Sequence, residues 1–139
     1  MATAKVAKTN FAEQAILNHI LRGSSMPNVS QVYVALFTTD PGETGTGAEV
    51  AGGGYARQAA SFTAPVAQVA PDTGSQCENS AAVVFPEATA SQGTVGYIGI
   101  MDAPAGGNMW YKGPITVPKA VDVGDEITFK LGAIKLLED

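Results

Sequence analysis

Apolar residues recur at helical spacing in one place only. In TNFAEQAILNHILRGSS, Ala12, Ile16 and Ile20 fall on one face, and Leu17 and Leu21 widen it. Thr9 or Asn10 suits the N-cap, Glu13 the first turn, and Gly23 after Arg22 the stop. This predicts a helix over residues 10–22. Residues 1–9 carry no core-forming pattern and read as an N-terminal arm.

Beyond Gly23 the pattern changes to short strands broken by glycine and proline. QVYVALFTT (31–39) is apolar on both faces, with Val32, Val34 and Leu36 on one and Tyr33, Ala35 and Phe37 on the other. That suits a strand covered on both sides. YARQAASF (55–62), AAVVFP (81–86) and TVGYIGIMD (94–102) follow. APAGGN (103–108) then separates TVGYIGIMD from MWYKG (109–113), a hairpin signal. EITFKL (126–131) alternates, placing Ile127, Phe129 and Leu131 inward. Seven or eight short strands at close spacing predict one mainly β domain over residues 1–139: an antiparallel, jelly-roll-like β-sandwich with one N-terminal α-helix. The expected core is Val32, Val34, Leu36, Val84, Ile98, Ile100, Ile127 and Phe129. The span 40–54, DPGETGTGAEVAGGG, is the least structured.

Composition narrows the partners. Only 15% of the 139 residues are charged, and the net charge is −5. The eight Lys and Arg are scattered, so there is no stripe to neutralise phosphates, and nucleic acid is not expected as a partner. No apolar run is long enough to span a membrane, and the N-terminus lacks the apolar core of a secretory signal. Cys77 is alone, which excludes an intramolecular disulfide and fits a reducing compartment.

Candidate chemistry is sparse. EVAGGGYARQ (49–58) sets three glycines before an aromatic and one of two arginines. It lacks the GxxxxGK[ST] of a phosphate loop, and no helix pattern follows, so Gly52, Gly53 and Gly54 read as a backbone device. His19 has no nucleophile context, and Cys77 sits in what reads as a polar loop. Asp40, Glu43 and Glu49 do not match a calcium loop's spacing. No catalytic, cofactor or metal residues are expected. Trp110 and Tyr111 point to opposite faces of a strand, so one of them is exposed unless both faces are covered. Tyr33, Phe37, Glu49, Tyr55, Arg57, Trp110 and Tyr111 are the interface candidates.

The motif order LNHILRG, VYVALFTTDPGETGTGAEVAGGGYARQ, VVFPEATASQGTVGYIGIMDAPAGGNMWYKG and VPKAVDVGDEITF resembles a family of small tailed-phage structural proteins, often labelled tail fibre or minor structural proteins. The likeness spans about residues 10–131. Gln92 departs from it, standing where the family pattern has an aromatic. The resemblance implies a virion component, assembled in the bacterial cytoplasm, with no enzyme activity. Because neither repeats nor a long coiled segment marks a fibre shaft, the leading expectation is a capsid decoration or cement protein. It would self-associate as a dimer or trimer and bind other virion proteins such as the major capsid protein. The alternative is a tail or tail-fibre-associated adaptor or receptor-binding module. A third reading is a carbohydrate-binding sandwich with Trp110 or Tyr111 stacking on a sugar.

Overall fold

A computed structural model describes residues 2–138. In chain order the elements are β1 (Ala2–Lys8), α1 (Asn10–Arg22), β2 (Val32–Phe37), β3 (Gln58–Ala60), β4 (Val66–Ala67), β5 (Ser75–Glu78), β6 (Val83–Val84), β7 (Gly93–Met101), β8 (Met109–Val121) and β9 (Thr128–Glu138). The fold is mainly β with one helix. In place of the expected two-sheet, jelly-roll-like sandwich, the strands form one continuous path, β3-β2-β7-β8-β1-β9-β5-β4, with β6 added to β9. The sheet curls into a half-barrel. Its two wings approach where Phe62, just past β3, bridges Asn79, just past β5.

The first nine residues explain why one sheet forms. The expected arm is a strand over Ala2–Lys8; Met1 lies outside the described residues. β1 runs antiparallel to β8, with Ala4 opposite Ile115, and parallel to β9, with Val6 opposite Leu136. It therefore joins the two wings. Ala4 and Val6 are buried, and the alternation is real, but alanine and lysine give little strand signal.

The helix spans the expected residues, Asn10–Arg22, and its caps are the expected ones. Thr9 caps the N-terminus, and Gly23 ends the helix at φ +69°. Thr9 is itself buried: its hydroxyl donates to the Met109 carbonyl at 2.6 Å, and its N–H bonds the Trp110 carbonyl at 3.0 Å. The first turn is thus fastened to β8.

One core fills the inside of the curl. Val34, Leu36, Ile98, Ile100, Ile127 and Phe129 are buried as expected, and Val32 is half-buried. Val84 is not in the core; it is 47% exposed, and its neighbour Val83 points inward instead. Phe85 connects the wings, stacked on Tyr55 at 6.1 Å and edge-on to Phe129 at 6.3 Å. A second cluster of Ala35, Phe37, Met101 and Met109 covers the outer face of β2.

In β9 the alternation fails, and Leu131 comes out 66% exposed instead of inward. Ala2 pairs with Phe129 but Ala4 with Ile134, so β9 bulges between them. Gly132 turns there at φ +78°, a conformation L side chains rarely adopt. The fully buried Asn79 repairs the ladder. Its amide N–H groups bond the carbonyls of Ala81 and Lys130 at 2.8 and 2.9 Å, and its oxygen accepts the Ile134 N–H at 2.8 Å.

Candidate functional site

The triple glycine takes positive φ at all three positions: +75° at Gly52, +61° at Gly53 and +78° at Gly54. Gly53 is also crowded, since a Cβ there would lie 2.8 Å from the Ala90 carbonyl oxygen. Its own carbonyl accepts from the Thr89 N–H and the Gln92 side chain, both at 3.0 Å. Gln92, at the position where the resemblance has an aromatic, thus makes a polar tie to the turn. The run bends the chain from the 40–54 loop toward β3 and aims Tyr55 and Arg57 at their partners.

Those partners make a closed network. Arg57 donates from Nε to Glu49 Oε2 and from an Nη to Oε1, each at 2.8 Å. Its other Nη bonds the carbonyls of Ala103 and Gly106 at 2.9 and 2.8 Å. The Tyr55 hydroxyl donates to Glu49 Oε2 at 2.7 Å and accepts the Leu36 N–H at 3.1 Å. Burial works to raise the Glu49 pKa, but the Arg57 and Tyr55 hydrogen bonds outweigh it, and the carboxyl is held below its ordinary range. Burial, reinforced by Glu49, pushes the Tyr55 phenol well above its usual value. One cation therefore pins the 40–54 loop to the 102–108 hairpin turn.

The hairpin turn has its own anchor. Asp102 accepts the Asn108 backbone N–H at 2.8 Å and the Trp110 indole N–H at 3.1 Å. Burial raises its pKa, yet these bonds hold the carboxyl below its ordinary range. Trp110 is buried, with Phe11 of α1 edge-on at 5.0 Å. Tyr111 packs on the inner core, and its hydroxyl donates to Glu138 at 2.8 Å. Both faces of this strand are covered. Phe37 is buried under Met101 and Met109, and Tyr33 is half-buried on β2.

The 40–54 span is ordered against the body, with Val50 N–H on the Leu36 carbonyl at 2.9 Å and Thr38 N–H on Ala48 at 2.9 Å. Asp40 is held below its ordinary pKa by the Gly42 N–H. Asp40 and Glu43 face Lys112 at 3.4 and 3.8 Å, while Glu49 faces Arg57, so the three carboxylates do not converge. His19 is exposed, and its Nδ1 lies 2.9 Å from the Ser24 carbonyl at the helix end. Cys77 lies in strand β5, half-buried, where burial and Glu138 raise its pKa away from thiolate reactivity.

The sequence reading assembled Glu49, Tyr55 and Arg57 as candidates, and the fold brings them together. It missed Thr9 as a buried anchor, Asn79 and Asp102. Only Asp102, beside a Gly-Gly turn, carried a local signal. The helix carries exposed apolar side chains. Leu17, Ile20 and Leu21 are 56%, 70% and 74% exposed, although the pattern placed them on the packing side. Only Ala12 of the helix is buried.

No curated protein matches the chain. Residues 7–137 match the family described as "Podophage GP4 fiber I protein gp80". That span takes in both wings of the sheet, the helix and the Arg57 network, and the chain therefore belongs to this phage fibre protein family.

Proposed function

We propose that the chain is a non-enzymatic structural module of a phage tail fibre, acting as an adaptor or receptor-binding piece. The observation that carries this is the match to a fibre family across residues 7–137, which favours the tail over a capsid decoration role. The site geometry supports a structural task. Arg57, Glu49, Tyr55 and Asp102 turn their polar atoms onto groups of the same chain, so they hold loops in place. Trp110 and Tyr111 are covered or bonded internally, which removes the support for sugar stacking. Antibody-gold labelling of purified particles tests the reading. Label along the tail fibres supports it. Label distributed over the capsid faces overturns it and restores the decoration reading.

A further inference from the structure

Three elements, each fastened separately, converge on one cleft of about 390 Å³. The first turn of α1, held to β8 through Thr9, supplies Asn10, Phe11 and Gln14. The 40–54 loop, pinned by the Arg57–Glu49 pair, supplies Glu43. The hairpin turn, held by Asp102, supplies Asn108, and the buried Met101 and Met109 form the floor. The anchors fix these walls before any ligand arrives, which lowers the ordering cost of binding.

The lining is polar but nearly uncharged. Among the described residues, the side-chain amides of Asn10 and Gln14 have no hydrogen-bond partner. Asn108 spends one amide N–H on Asp102 at 3.1 Å, and its side-chain oxygen has no partner. Each amide sets a donor beside an acceptor, the pattern that neighbouring hydroxyl groups of a sugar require. Phe11, half-buried with its ring perpendicular to that of Trp110 at 5.0 Å, and the two methionines add apolar surface for the C–H face of a sugar ring. Glu43 is the only ionisable residue among those lining the cleft, and it already faces Lys112 at 3.8 Å. No cation lines the cleft to hold a phosphate or carboxylate.

We infer that this cleft binds an uncharged saccharide through Asn10, Gln14 and Asn108, with Phe11 beneath the ring. The inference rests on the receptor-binding form of the fibre reading and gives it a ligand class. It does not use Trp110 or Tyr111 as stacking surfaces.

The test uses the full-length chain with its methionine methyl groups labelled for NMR. The probes are neutral oligosaccharides of glucose, galactose, mannose, rhamnose and N-acetylhexosamines, with oligogalacturonate as the charged counterpart. At least one neutral probe should shift the Met101 and Met109 methyl signals saturably and leave Met26, which lies outside the cleft, unmoved. Oligogalacturonate should shift none of them. Asn10→Ala with Gln14→Ala should weaken the binding by at least about 10-fold. The thermal melt of this variant should stay unchanged, because both residues are exposed. The absence of saturable shifts with every neutral probe overturns the inference. So does a double variant that binds at wild-type strength, or oligogalacturonate acting at the same methyls. Shifts that arise only when another virion protein is added would assign the cleft to that protein and also overturn it. Gold label on the capsid would sink the fibre reading and leave a measured saccharide affinity standing, whereas a fibre-located chain that binds no neutral probe would sink this inference alone.

Discussion

Arg57 grips Glu49 at two points, with both N–H···O distances at 2.8 Å. The guanidinium side chain is only 8% exposed and the carboxylate 27%. Its fork also reaches the Ala103 and Gly106 carbonyls, which a lysine's single ammonium cannot match. Arg57→Met should cost about 2–4 kcal/mol, because it leaves Glu49 and two carbonyls short of donors. Arg57→Lys should recover less than half. Urea denaturation of the two variants checks both statements.

The same pair makes the fold sensitive to acid. Glu49 is depressed below its ordinary 4.5, so its contribution is fully present above that value and is lost as pH falls through the lower folded value. Asp102 adds in the same direction below its ordinary 3.8. Stability should therefore be flat from about pH 6 to 8 and decline below about pH 4.5. Glu49→Gln should flatten part of that decline while lowering the plateau. An acid limb as steep as wild type in this variant would show that other carboxylates carry it.

Gly52 and Gly53 share positive φ but differ in space. Gly52→Ala has nothing within 4 Å of the new methyl and should cost only the backbone strain, about 1 kcal/mol. Gly53→Ala meets the Ala90 carbonyl at 2.8 Å and should cost about 2–3 kcal/mol. Equal losses would place the strain elsewhere. Saturable nucleotide binding by the wild type would overturn the backbone reading of the run.

Removing residues 1–8 should unfold the protein. Those residues take out β1, the strand joining both wings, together with buried Ala4 and Val6. A truncated chain that keeps its β spectrum and a cooperative melt would contradict the single-sheet architecture.

Two fully buried side chains should also be costly to truncate. Phe129→Ala should cost about 3–5 kcal/mol, since the ring is fully buried beside Phe85. Asn79→Ala removes the partner of the Ala81 and Lys130 carbonyls and of the Ile134 N–H and should cost about 2–4 kcal/mol. Chemical denaturation of each variant measures these directly.

The local pattern determined what neighbouring residues settle among themselves. The bounds of α1, its Thr9 and Gly23 caps, the strands around Val34, Ile98 and Phe129, the hairpin at 102–108 and the bend at Gly52–Gly54 all follow from periodicity and turn chemistry within a few residues. Tertiary structure decided whatever depended on distant partners. Ala2–Lys8 is a strand because β8 and β9 leave a slot that it fills. Leu131 faces out because Asn79, 52 positions earlier, stabilises a bulge that shifts the alternation. Trp110 is covered because Thr9 fixes the helix start above it. The same anchoring carries Leu17, Ile20 and Leu21 away from the core. An amphipathic pattern says that a face is to be buried, but only the geometry of attachment says whether the chain buries it against itself.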